Sequence, residues 1–234
     1  YNNFLGSLAG YNNTTGCGNN FLGSLAGYNN TTGSDNNFIG RIAGRDNTTG
    51  CGNNFFGNQT GLFNNTGINN NFFGNCAGKN NTTGSCNNFI GRQAGFCNTT
   101  QSGTVAVGDC AGRANQGNDN VYLGRNAGFS LSRATTVVTG TNNFIVGVSA
   151  GSSITSGSNN TFIGLNAGFF NTTGASNNFF GCCAGYNNTI GVGNNFFGIC
   201  AGYTNTTGCY NNFLGSLAGY NNTTGCGNNF LGSL

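Results

Sequence analysis

The chain has 234 residues, of which 44 are glycine and 48 are asparagine, and it contains no proline, methionine, tryptophan or histidine. It carries only seven basic and four acidic side chains, for a formal net charge of +3, whereas about a quarter of the residues of a typical soluble domain are charged. Without histidine and with few carboxylates, little remains for a general acid and base, so we expect no enzyme and no cofactor. The thinly spread cations predict no nucleic-acid partner, and no apolar run reaches the roughly 18 residues of a membrane span.

One motif, Asn-Asn-Phe-(Leu/Ile/Phe)-Gly, recurs in recognisable form from the first residues to the last, and its final glycine marks one rung of a repeat. The regular step is seventeen positions, as from Gly6 to Gly23. Two steps depart from this period, since the one from Gly108 to Gly124 is shorter by one position and the one from Gly124 to Gly147 is longer by six. The two bulky residues before each marker glycine predict a short strand. Further glycines follow an alanine and the word Asn-Thr-Thr, where they predict sharp corners.

A unit of this length cannot bury a face alone, whereas stacked copies share one continuous core. We therefore predict an all-β fold, a parallel β-solenoid or β-roll of about 13 to 14 rungs with no separate globular core. The glycine density and the lack of a 3.6-residue pattern exclude helical repeats, and the strictly periodic Phe and Leu argue against a disordered Asn/Gly-rich chain.

The domain organisation follows from the irregular step. We predict regular rungs over 1–128, an inserted loop over 129–141 and regular rungs over 142–234. The loop holds the six extra residues and is either part of a binding face or a spacer. Residues 1–25 are identical to 210–234, so the chain repeats itself after 209 residues. This identity predicts a window of a longer array, and the alternative is a finite protein with duplicated end rungs.

Asparagine occupies fixed positions in the rung. Stacking would place columns such as Asn2, Asn19 and Asn36 about 4.8 Å apart, where amides can form ladders; turn-forming Asn without ladders is the alternative. A second column carries Asn-X-Thr sequons, which predict an outward row of covalent glycans if the source organism glycosylates them, although turn formation again explains the pattern. The sequon residues are Asn13, Asn30, Asn47, Asn64, Asn81, Asn98, Asn171, Asn205 and Asn222.

Both residues of each Phe-Leu pair are apolar, although neighbours in a strand point to opposite faces. One member can fill the rung interior, and the other predicts a subunit interface along the stack, hence a homo-oligomer or filament such as a trimer. We assign this interface to the first member, namely Phe4, Phe21, Phe38, Phe55, Phe72, Phe89, Phe162, Phe179, Phe196, Phe213 and Phe230. A bulge that turns both side chains inward is the alternative.

The 11 cysteines favour an oxidising compartment. Cys183 and Cys200 share one rung position on neighbouring rungs, as do Cys209 and Cys226, and a spacing of about 4.8 Å lies within the range that a disulfide tolerates. Each pair is therefore predicted to join two rungs, with small buried thiols as the alternative. No Cys-X-X-Cys motif and no regular spacing of Asp predicts a zinc or calcium site.

Two rungs resemble motifs of known families. The segment Thr104-Val105-Ala106-Val107-Gly108-Asp109-Cys110-Ala111 resembles the head repeats of trimeric autotransporter adhesins. The segment Asn159-Asn160-Thr161-Phe162-Ile163-Gly164-Leu165-Asn166-Ala167-Gly168 is similar to repeats of tail-fibre-like bacterial and phage surface proteins. These resemblances imply a trimeric extracellular β-solenoid used for attachment or as a stalk.

The repeat architecture therefore predicts a structural protein of an extracellular fibre, filament or sheath, located outside the cell or at its surface. The alternative is an adhesin or tail-fibre shaft that presents the segment 129–141 to a receptor or a glycan.

Overall fold

The fold was analysed in a computed structural model that describes residues 1–130 and 138–233. The described residues contain no helix and fourteen strands of three residues each. In chain order the strands are β1 (Asn3–Leu5), β2 (Asn20–Leu22), β3 (Asn37–Ile39), β4 (Asn54–Phe56), β5 (Asn71–Phe73), β6 (Asn88–Ile90), β7 (Val105–Val107), β8 (Val121–Leu123), β9 (Phe144–Val146), β10 (Thr161–Ile163), β11 (Asn178–Phe180), β12 (Asn195–Phe197), β13 (Asn212–Leu214) and β14 (Asn229–Leu231).

The chain divides into two compact units, Tyr1–Gln116 and Gly117–Leu234, which carry β1–β7 and β8–β14. Within each unit every strand pairs in parallel with the next strand in sequence, for example Asn20 with Asn37. Consecutive strands within a unit are thus one regular rung apart in the sequence. The exception is β8 and β9, whose register joins Val121 to Phe144 across the longer step of the repeat. The predicted parallel β-solenoid is confirmed. Residues 131–137 of the predicted loop 129–141 lie outside the described residues.

Each strand is short because of the glycine that follows it. Gly23 has φ +136, which side-chain-bearing residues rarely adopt, and a Cβ there would lie 2.4 Å from the carbonyl oxygen of Gly40 in the next rung. The chain then forms a turn closed by the N–H of Ala26 donating to Gly23 O at 3.2 Å. Further bonds run between rungs, such as Gly27 N–H to Ala43 O at 3.0 Å, and hold the corners in register.

The core of each unit is a thin stack inside the coil. Most rungs contribute an aromatic ring, an alanine and two asparagines to it, as Phe38, Ala43, Asn36 and Asn47 do, and all four have no exposed surface. Stacking alone builds this core, because no rung contains enough apolar surface to bury itself.

Candidate functional site

The Phe column that we assigned to a subunit interface instead fills the interior of the coil. Its rings stack with centroids 4.8–4.9 Å apart, as in Phe21–Phe38 and Phe196–Phe213. These interior members are fully buried, and only Phe4 and Phe230, in the first and last rungs, are exposed. The interface assignment to Phe4, Phe21, Phe38, Phe55, Phe72, Phe89, Phe162, Phe179, Phe196, Phe213 and Phe230 is therefore wrong. The strand alternation holds, but this member of each pair faces inward.

The second member of each pair faces outward and forms what we call the apolar ladder. In the first unit it comprises Leu5, Leu22, Ile39, Phe56, Phe73, Ile90 and Val107, and in the second Leu123, Val146, Ile163, Phe180, Phe197, Leu214 and Leu231. Ile39 is 36% exposed and Ile90 is 45% exposed. Rings stack along the ladder too, with centroids 4.8 Å apart for Phe56 and Phe73. A continuous apolar strip thus follows the strands of each unit.

The sequon asparagines also point inward. Asn47 has no exposed surface, and its Nδ2 donates to Asn30 Oδ1 at 2.8 Å and to Gly50 O at 2.9 Å. Because a glycan attaches at Nδ2, it would have to displace this ladder and enter a closed interior. The predicted outward glycan column at Asn13, Asn30, Asn47, Asn64, Asn81, Asn98, Asn171, Asn205 and Asn222 is incompatible with the folded coil, in which seven of the nine are fully buried.

The other inner asparagine column, for which we predicted a ladder of amides, bonds along the stack through the backbone in the first unit, and amide-to-amide bonds such as Asn160 Nδ2 to Asn143 Oδ1 at 3.1 Å occur in the second. The backbone N–H of Asn36 donates to Asn19 Oδ1 at 3.0 Å, while Asn36 Nδ2 donates to Gly50 O at 2.8 Å. Gly50 O therefore accepts from both inner columns. A Cβ at Gly50 would lie 2.4 Å from Asn47 Oδ1, so this glycine is required by close packing and not by a positive φ.

The predicted cysteine pairs lie on neighbouring rungs, but all 11 thiols are free and the two predicted disulfides are not formed. In the pair Cys209 and Cys226, the backbone N–H of Cys209 donates to Cys226 Sγ at 3.1 Å. Cys183 Sγ lies 3.5 Å from Cys182 Sγ, a neighbour that our prediction overlooked. Burial, and then hydrogen bonding to Cys182, raises the pKa of Cys183 to about 11, which disfavours the reactive thiolate.

A polar groove runs along the outside of the first unit. One wall carries Asn12, Asn29, Asp46 and Phe63, and the other carries Thr14, Thr31, Thr48, Asn65 and Thr82. Along the first wall, Asn29 Nδ2 donates to Asp46 Oδ1 at 2.9 Å, and Arg45 clamps the same carboxylate with two bonds of 2.8 and 2.6 Å. Phe63, which is 40% exposed, supplies an aromatic ring to this wall. The groove thus offers amides, hydroxyls and one ring at the rung spacing.

Within residues 1–130 and 138–233, no helix is long and apolar enough to cross a membrane, and no cluster of Cys, Asp or Glu is arranged to hold a metal ion. No protein-family model matches the chain, and comparison with curated proteins and with solved structures gave no match.

Proposed function

We propose that this chain is a structural protein of an extracellular fibre, in which copies of the solenoid associate side by side along the apolar ladder. The observation that carries the proposal is the ladder itself. Five of the seven ladder side chains of the first unit are at least 36% exposed, as for Leu22 at 41%, and three of the seven in the second unit are, as for Phe197 at 40%. With about 200 Å² per large side chain, the seven rungs of the first unit leave on the order of 500 Å² of apolar surface.

A patch of this size matches the largest apolar patches on typical monomers, which are often functional. The proposed partner that covers this patch is a second copy of the chain. Every copy presents the same row of side chains at the same spacing, so two ladders can interdigitate with every rung in an equivalent environment. A mechanical role also suits a coil whose buried side-chain polar atoms all have hydrogen-bond partners within the described residues.

The experiment is a matched pair of double variants of the full chain. Ile39→Lys with Phe73→Lys places two cations on the ladder, and Thr49→Lys with Thr83→Lys places the same charge on the same two rungs at exposed positions elsewhere. We expect assembly of the wild type and the threonine variant, and loss of assembly in the ladder variant, measured by sedimentation velocity and electron microscopy. Circular dichroism controls for folding. A wild type that stays monomeric, or a ladder variant that assembles normally, would refute the proposal.

The groove favours a second candidate function, the binding of a linear neutral glycan. Its two walls repeat hydrogen-bonding groups at the rung spacing, and Phe63 offers a ring against which a sugar can stack. We expect oligosaccharide binding, measured by calorimetry, to be lost in Phe63→Ala and retained in Thr83→Ala. Equal binding by the two variants would contradict this candidate.

A further inference from the structure

Five of the eight tyrosines occupy one position in the rung, directly after the Ala-Gly corner. In the second unit three of them stack in succession: ring centroids are 5.0 Å apart for Tyr186 and Tyr203 and 5.1 Å apart for Tyr203 and Tyr220, with planes within 5° of parallel. We call these three residues the tyrosine ladder. Phe169 extends it at 5.1 Å from Tyr186, and Phe170 packs edge-on against Tyr186 at 5.3 Å.

The backbone fixes the pitch of this stack. The N–H of Asn187 donates to Tyr203 O at 3.0 Å, and the N–H of Thr204 donates to Tyr220 O at 3.1 Å, so successive rungs cannot slide apart. The three residues are half-buried, so part of each remains in contact with solvent. Neighbouring phenols are therefore held together and can still be oxidised from solution.

We propose that the tyrosine ladder is a site of oxidative cross-linking, at which Tyr203 becomes joined to Tyr186 or Tyr220 by a carbon–carbon bond between ring positions ortho to the hydroxyl groups. The oxidant is hydrogen peroxide acting through a haem peroxidase. It removes one electron and one proton from each of two phenols and is itself reduced to two water molecules. The two phenoxyl radicals couple through their Cε atoms, and the proton on each Cε then moves through solvent to the ring oxygen, which restores both aromatic rings.

The geometry favours this product because coupling requires two short-lived radicals to meet. Parallel rings about 5 Å apart bring the Cε atoms of adjacent rungs close together, so a reaction that is bimolecular in solution becomes intramolecular. Burial, followed by the neighbouring phenols, raises the pKa of Tyr203, which keeps this phenol neutral before oxidation. The cross-link joins rungs of one chain, so it does not depend on the lateral association proposed above.

The test treats the full-length chain with a haem peroxidase and hydrogen peroxide at a concentration where the chain is monomeric. Thiols are first alkylated, because thiols such as Cys183 and Cys200 donate hydrogen atoms to phenoxyl radicals. Dityrosine fluorescence and peptide mapping by mass spectrometry report the product. We expect cross-linked peptides that contain Tyr203 and have lost two hydrogen atoms, without covalent dimers on a denaturing gel.

Two single substitutions decide the assignment. Tyr203→Phe keeps a ring in the stack but leaves the nearest phenols, Tyr186 and Tyr220, two rungs or about 10 Å apart, so cross-links in the second unit should disappear. Tyr210→Phe is the matched control, since Tyr210 is 67% exposed and has glycines, Gly193 and Gly227, at its position in the neighbouring rungs. The proposal is overturned if Tyr203→Phe retains the wild-type yield in the second unit, if cross-links map to Tyr210, or if the wild type forms none.

Discussion

Replacing Asn47 with Asp is an almost isosteric change that tests the buried ladder formed by the sequon asparagines. In the wild type, Asn47 Nδ2 donates to Asn30 Oδ1 and to Gly50 O, and Asn47 Oδ1 accepts from Asn64 Nδ2 at 2.8 Å. Aspartate retains the accepting role and loses both donated bonds. Gly50 O keeps the bond from Asn36, whereas Asn30 Oδ1 loses the ladder bond that it receives from Asn47.

The expected cost has two parts. An acceptor left unsatisfied in a buried site costs about 1–3 kcal/mol. Burying a charged carboxylate in the closed interior costs more free energy than protonating it, so the folded chain holds the acid in its neutral form. At pH 7 this protonation costs roughly 4 kcal/mol for a group whose pKa in the unfolded chain is about 3.9. The neutral acid regains one bond by donating to Asn30 Oδ1. We therefore expect Asn47→Asp to lower the free energy of unfolding at pH 7 by roughly 4 to roughly 6 kcal/mol, the protonation cost with the remaining hydrogen-bond loss added.

The pH dependence follows from the sign of the shift. Burial raises the pKa of the new carboxyl group above its unfolded value, so the stability that the variant retains is fully present below about pH 4 and is lost as the pH rises toward the folded pKa. Urea unfolding monitored by circular dichroism should show a defect at pH 4 of only about 1–2 kcal/mol.

The matched control is Asn37→Asp, in an outward ladder of the same type. Asn37 accepts from Asn20 Nδ2 at 2.8 Å and donates to Asn54 Oδ1 at 2.7 Å, but it is half-buried and water can replace the lost bond. We expect a defect of about 1 kcal/mol or less with little pH dependence. Equal defects in the two variants, or a defect in Asn47→Asp that is the same at pH 4 and pH 7, would refute the role assigned to the buried ladder.

Three further outcomes are expected. Gly27→Ala should lower the free energy of unfolding, measured with urea, by about 3 kcal/mol or more, since its Cβ would lie 2.4 Å from the buried ring of Phe21. Gly227→Ala has open space around it and should lower this free energy only by the backbone penalty of about 1–2 kcal/mol. Similar losses in the two variants would contradict the packing argument. Cys86→Gly should raise the free energy of unfolding by about 0.5–1 kcal/mol, because Cys86 has φ +59, a conformation that glycine adopts without the strain of a Cβ. A fall in the melting temperature would count against this. Cys183, with its raised pKa, should react with iodoacetamide at pH 8 at least about tenfold more slowly than a cysteine in an unstructured peptide, and an equal rate would be inconsistent with its burial.

The solenoid could be predicted because the sequence repeats at a regular period, and stacking the repeats in register places equivalent residues in a column. The Asn2, Asn19 and Asn36 column was predicted as a ladder for the same reason. Which face each column occupies was harder to predict. Both members of the Phe-Leu pair are apolar, so hydrophobicity alone does not show which of them points inward.

A signal for the inward face was nevertheless present. The first member of the pair is Phe in eleven rungs, whereas the second varies among Leu, Ile, Phe and Val. A constant size is what a closed interior requires, since the ring must fit against the glycine of the Ala-Gly corner, as Phe21 does against Gly27, while an outward side chain is free to vary. The same reasoning applies to the sequons. Asn30 and Asn47 recur with little variation because each amide must meet the next one, and the threonine two residues later is a separate outward column.

This division explains where function can be encoded in such a chain. The inner columns are fixed by contact with identical neighbours, so a change in one rung disturbs the rungs on either side. The outward columns lack this constraint. The position after the Ala-Gly corner, for example, carries tyrosine in both units but basic side chains, namely Arg45, Lys79 and Arg113, only in the first. Because the coil repeats at the strand spacing, residues of one kind on successive rungs form a row of like groups about 5 Å apart. Binding, association and oxidation should therefore depend on runs of rungs, and substitution of one residue in the middle of a run should weaken them more than substitution at its end.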